Sequence, residues 1–252
     1  MGRSASKYLI LAAVAIAALA ITPPIPQPPA YHDFFDKSAC FGIPHCKDAL
    51  SNIPFVLVGA VGVWFLLSGR ATGQFITATE KIPYVAFFLA VALTGMGSGY
   101  YHLAPDNPRL AWDRAGMALA FASWFSAVIA ERASPAWGVR LLLPLSMASV
   151  AAVGYWIATE TAGRGDLRPY LLVQLVPYLL IPVVLWRRPA RYTHASATVA
   201  VMVLYAAALA LDRFDRPVAE AIGFVSGHTL KHLVGALAAA VALWSIARRR
   251  AL

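Results

Sequence analysis

The sequence predicts an all-α polytopic membrane protein, and three observations carry that prediction. Of the 252 residues, 60% are hydrophobic and only 13% are charged, with a mean hydropathy of +0.64; soluble domains run at about 45–50% apolar and about 25% charged. The 21 basic and 12 acidic residues fall between long apolar runs. Those runs show none of the alternation over about ten residues that marks the strands of an outer-membrane barrel. The net charge of +9 and pI near 9.8 would point to nucleic acid in a soluble protein. Here the positive excess sits at helix ends, where it orients a membrane protein, and nucleic-acid binding is excluded as a function class. Two cysteines, Cys40 and Cys46, are too few for a disulfide scaffold and lack the Cys-x-x-Cys spacing of a metal or redox motif.

About 20 apolar residues are needed to cross the hydrocarbon core. The first apolar stretch, residues 8–22, is short, follows Arg3 and Lys7, and reads either as a cleaved signal peptide or as an anchoring helix. A polyproline-like spacer from Pro23 to Pro29 follows and cannot continue a helix. Residues 1–30 therefore form a leader or anchor, and 31–252 one domain with an outer loop at 31–47. The spans expected after that loop are 49–69, 82–103, 110–130, 139–158, 169–186, 194–211 and 221–247, a seven-helix core. With the N-terminus inside, the inner face carries Arg3, Lys7, Arg70, Lys81, Arg132, Arg140, Arg187, Arg188, Arg191 and Arg248 to Arg250, twelve basic residues against eight outside. The positive-inside rule then places both termini in the cytoplasm.

Ionisable residues inside a span are costly and mark function by default. Ser98 and His102 are four residues apart near the end of the second core span, on one helix face. His228 and His232, also four apart, open the last span in the arrangement that lets two imidazoles reach one zinc ion. Asp113 lies just inside the third core span. It is as far from the Asn107–Pro108 junction as His102 is, so in an antiparallel hairpin the two are expected at equal depth. Topology brings all five side chains to the outer leaflet. Taken singly, each has a plainer reading: an interfacial histidine, or, for Ser98 among Gly95, Gly97 and Gly99, a small residue for close helix packing. Three histidines, an aspartate and a serine at one depth on three helices favour a metal site. Lys231 is read as a snorkelling cation turned away from the histidine face, and His32, His45 and His194 as surface groups.

The pattern Gly95-Met96-Gly97-Ser98-x-x-x-His102, then Asp113, then Gly227-His228-x-x-x-His232 resembles the alkaline ceramidase family, within the larger group of seven-helix membrane hydrolases that includes the adiponectin-type receptors. The stretch Asp48-Ala49-Leu50-Ser51-Asn52 is similar to the family as well. The resemblance implies that His102, His228 and His232 hold Zn2+, that Asp113 orients the hydrolytic water, and that Ser98 helps polarise the substrate carbonyl. Animal members carry a calcium-binding segment rich in Trp and Glu before the first core helix. Here that region reads His32-Asp33-Phe34-Phe35-Asp36-Lys37, without a glutamate, so Ca2+ dependence is not carried over. The added N-terminal stretch and short outer loops look like bacterial relatives, which implies the inner membrane, with the site toward the periplasmic leaflet.

The chemistry implied is hydrolysis of the N-acyl amide of a ceramide-like membrane lipid to a fatty acid and an amine. The competing reading is a seven-helix receptor or transporter in which zinc is structural, closed by a fourth protein ligand such as Asp113. A retinal protein using Lys231 and a haem bundle using His102 and His228 are further alternatives, both separable by colour.

Overall fold

The computed structural model describes residues 14, 17–19 and 21–252. The expected signal or anchor at 8–22 therefore lies almost wholly outside the described residues. The chain is all-α apart from a two-residue hairpin, β1 (Ala39–Cys40) and β2 (Ile43–Pro44), paired antiparallel with Cys40 opposite Ile43. Its turn, Phe41-Gly42, has both residues at positive φ (51° and 77°), the backbone that two-residue hairpins favour. Nine helices follow among the described residues: α1 (Cys46–Leu50), α2 (Ile53–Leu67), α3 (Lys81–Leu103), α4 (Asn107–Arg132), α5 (Pro135–Thr161), α6 (Arg168–Arg187), α7 (Ala197–Arg213), α8 (Asp215–Ile222) and α9 (Gly227–Arg248).

A helix occupies each of the seven expected spans, and most of these helices are long and apolar enough to cross a membrane. Among the described residues, five segments are long and apolar enough to cross a membrane: Cys46–Leu67, Ala78–Leu103, Pro135–Thr161, Arg168–Arg187 and Gly227–Arg248. Helices α7 and α8 make a sixth only if their pair, bent by 82°, counts as one span. Helix α4 is not among these segments, and it carries Arg109, Asp113, Arg114, Glu131 and Arg132. The described residues are therefore those of a polytopic membrane protein with five, or up to six, long apolar helices. The last span also starts later than residue 221, because α8 closes at Ile222 with Gly223 left-handed at φ 85°.

The chain forms two compact units. One comprises the described residues up to Pro28, Thr77–Phe87 and Ala118–Arg191. In it α5 starts at Ser134, whose hydroxyl accepts the Trp137 N–H as an N-cap, with Pro135 in the first turn. Helix α6 packs on α5. Two of its buried carboxylates have partners: Glu80 meets Arg191 at 3.1 Å, and the Tyr84 hydroxyl donates to Glu131 at 2.6 Å. Buried charges require such partners.

The other unit comprises Pro29–Ile76, Phe88–Met117 and Tyr192–Leu252. Here α9 packs along α7 and against α2. The loop ahead of α1 is fastened at two places. Cys40 and Cys46 are joined as a disulfide, and the Asp36 carboxylate accepts the backbone N–H groups of Ser38, Lys47 and Asp48 at 2.9–3.1 Å. Asp36 thus caps the first turn of α1, whose residues reach the site described next.

Candidate metal centre

All five residues singled out from the sequence belong to the second unit, and all are buried: His102 at 0% exposure, Ser98 and His228 at 2%, His232 at 3% and Asp113 at 7%. Helix α3 supplies Ser98 and His102, α4 supplies Asp113, and α9 supplies His228 and His232 one turn apart. Among the described residues, His102, His228 and His232 form a group whose ligand nitrogens lie within 4.8 Å of one another and could hold a metal ion.

The hydrogen bonds around the rings decide which nitrogens are offered. His228 Nδ1 lies 2.7 Å from Asp212 Oδ1, so Nδ1 carries the proton and Nε2 the lone pair. His232 Nδ1–H donates to the Ser51 hydroxyl at 2.8 Å, and Ser51 in turn donates to the Asp48 carbonyl at 2.9 Å. His232 Nε2 is thereby left to the cluster, 3.4 Å from Ser98 Oγ. The Nε2 atoms of His102 and His228 stand 3.2 Å apart. Two imidazole nitrogens bound tetrahedrally to one zinc at its usual bond length are separated by about 3.3 Å. The residues therefore fit zinc in donor type, tautomer and spacing. Buried nitrogens facing one another without solvent are also what a cation satisfies at least cost.

Ser98 sits beside both His232 and the Asp113 carboxylate. Asp113 reaches that level through Gly97. A Cβ there would lie 2.5 Å from the Trp112 carbonyl oxygen and 3.0 Å from the Asp113 nitrogen, so only glycine lets the two helix backbones approach this closely. Asp113 is accordingly level with Gly97 and Ser98, one turn from the expected match with His102. The reason is the turn. Helix α3 ends at Leu103 and α4 begins at Asn107, which centres the link on Pro105, not on the Asn107–Pro108 junction, and pairs position 97 with 113.

Three features were missed from the sequence. Asp212, on α7, contacts His228 and also lies 3.1 Å from Lys231 Nζ. Lys231 is thus ion-paired beside the cluster and not turned away from it. Phe34, in the loop before α1, packs on the cluster, its ring centroid 4.3 Å from His228 and 4.8 Å from His102. The nearby His32, expected at the surface, is part-buried and pinned by the Tyr101 hydroxyl at 2.7 Å and Asn107 Oδ1 at 2.9 Å. His45 likewise donates to the Asp36 carbonyl, while His194 is exposed as expected. Finally, Asp48 on α1 is fully buried, and its Oδ1 accepts the Thr229 hydroxyl at 2.5 Å.

No protein-family model matches the chain, and no curated protein matches it. What the chain itself displays is a buried tri-histidine cluster set among long apolar helices. That arrangement is consistent with a metal-dependent membrane enzyme.

Proposed function

We propose that the protein is a zinc-dependent intramembrane amide hydrolase, of the alkaline ceramidase type, that cleaves the N-acyl bond of a ceramide-like lipid to a fatty acid and an amine. The observation that carries this reading is the placement of Ser98 and Asp113 beside a three-nitrogen cluster. Three histidines leave a catalytic zinc one open position, and structural zinc sites are usually closed by four protein ligands. His102, His228 and His232 would hold the ion. When bound, zinc polarises a carbonyl and brings the pKa of water to about 7.

The remaining work falls to the chain's own residues. Asp113 takes the proton of the attacking water and returns it to the departing amine, as a general base and then a general acid. The Ser98 hydroxyl donates to the oxygen that becomes negative as the carbonyl turns tetrahedral. Phe34, packed on His102 and His228, excludes bulk water from the outer-loop side, which strengthens both interactions. The substrate's acyl chain then enters from the bilayer. The Cys40–Cys46 disulfide supports an oxidising compartment on the outer-loop side, such as the periplasm, with both termini in the cytoplasm.

The test is to incubate purified protein with a panel of N-acyl lipids in mixed micelles and measure released fatty acid. Release that stops with a zinc chelator and returns on adding zinc is expected. Steady absence of release across ceramides, with zinc bound, would favour a receptor or transporter holding a structural ion.

A further inference from the structure

We infer that Asp212 and Lys231 are a positioning pair for the metal centre: the Asp212 carboxylate fixes the His228 ring through Nδ1, and the Lys231 ammonium holds that carboxylate in place. The inference rests on the metal-site reading above and adds to it two residues that take no part in ligation or proton transfer.

The local fold builds this contact. Asp212 is the penultimate residue of α7, just before the chain bends by 82° into α8. Helix α9 begins against that elbow, where a Cβ on Gly227 would collide with the Leu211 carbonyl and lie 2.8 Å from the Asp215 Cα. The close approach presents His228 to both sides of the bend. Asp215 Oδ1 accepts the His228 backbone N–H at 2.8 Å, and Asp212 Oδ1 accepts Nδ1–H at 2.7 Å. His228 is thus fixed by main chain and side chain at once. By contrast, His102 Nδ1 is buried without a hydrogen-bond partner among the described residues.

A carboxylate on the far nitrogen sets the tautomer and orientation of a ligating imidazole and raises its basicity; removing it typically costs 10–100-fold in metal affinity. Asp212 has a second task. Its Oδ1 is also 3.1 Å from Lys231 Nζ, which lies 3.4 Å from His228 Nδ1. An unpaired ammonium that close would oppose a divalent cation, whereas an Asp–Lys pair is neutral overall. Conversely, Asp212 without Lys231 would be a carboxylate lacking its counter-ion in a part-buried site, an unfavourable state. Lys231 therefore acts on the metal only through Asp212.

The experiment measures zinc affinity by competition with a chromophoric chelator for full-length wild type, Asp212→Asn, Lys231→Met and the double variant. Helix content and melting temperature are taken in the metal-free state. We expect Asp212→Asn to bind zinc about 10–100-fold more weakly with unchanged metal-free melting, Lys231→Met to weaken binding by a smaller factor, and the double variant to match Asp212→Asn alone. Zinc affinity within threefold of wild type in Asp212→Asn, or fully additive losses in the double variant, overturns the inference. Should Asp212→Asn fail to fold, Lys231→Met decides, and wild-type affinity there is equally fatal. If wild type itself binds no zinc, the metal-site reading fails with it; wild-type binding with unaltered variants removes this inference alone.

Discussion

Asp113 packs backbone to backbone against Gly97, where a Cβ would stand 3.0 Å from the Asp113 nitrogen and 2.5 Å from the Trp112 carbonyl oxygen. The contact sets the depth of the proposed proton-transfer carboxylate relative to Ser98 and the histidines. Because the colliding atoms are main chain, no side-chain rotation relieves them.

Gly97→Ala is accordingly expected to push α4 from α3, costing about 1–3 kcal/mol of stability and most of the hydrolytic rate, while zinc remains bound because the contact touches none of the three histidines. Paired assays of released fatty acid and bound zinc check this. Loss of zinc in parallel with activity would place the metal site itself on this contact.

Ser98→Ala and Asp113→Ala should each keep zinc and lose hydrolysis by about 100-fold or more, the scale of removing an oxyanion donor or a general base. Zinc release from the Asp113 variant would instead mark the carboxylate as a fourth ligand. Full activity in the Ser98 variant would end its assignment to the oxyanion.

Asp36 gives the protein a pH dependence outside the spans. Burial raises the pKa of its carboxyl, but the Ser38 hydroxyl and the backbone N–H groups of Asp48, Ser38 and Lys47 outweigh that and hold it below the ordinary carboxylate value of 3.8. A depressed folded-state pKa contributes stability that is present above the unfolded value and is lost as pH falls through the folded one. The melting temperature should therefore decline below about pH 4, and Asp36→Asn should melt lower at neutral pH with a flatter acid limb. An unchanged acid limb in that variant would show that the α1 cap does not set it.

The Cys40–Cys46 bond closes a short loop and should contribute about 2 kcal/mol. Native protein in sealed vesicles should give no reaction with an impermeant thiol reagent until reduced, and then react from the outer-loop side. Labelling of a cysteine placed at the C-terminus from that same side would reverse the proposed orientation.

Much of the site was legible because its residues lie on single helices: spacing alone puts Ser98 with His102, and His228 with His232, on shared faces. Joining the pairs needed only a shared depth, which the alternation of successive spans supplied. What sequence could not supply was geometry set by turns and bends. The level of Asp113 depends on where the α3–α4 link is centred, and equal counting from residues 107 and 108 misplaced it by a turn. Asp212 is 16 residues before His228 and reaches it only through the 82° elbow between α7 and α8, which no periodicity announces. Lys231 was misread for the same reason, its partner being out of view. Helix α4 is the span that composition marks least, because five charged residues flank its apolar stretch.

The central claim, that three buried imidazoles hold one catalytic zinc, is tested most directly by metal analysis of protein purified without chelators. One zinc per chain is expected in wild type, lost in His102→Ala, His228→Ala and His232→Ala together with lipid hydrolysis. Wild-type protein free of metal, or zinc undiminished in all three histidine variants, would contradict it.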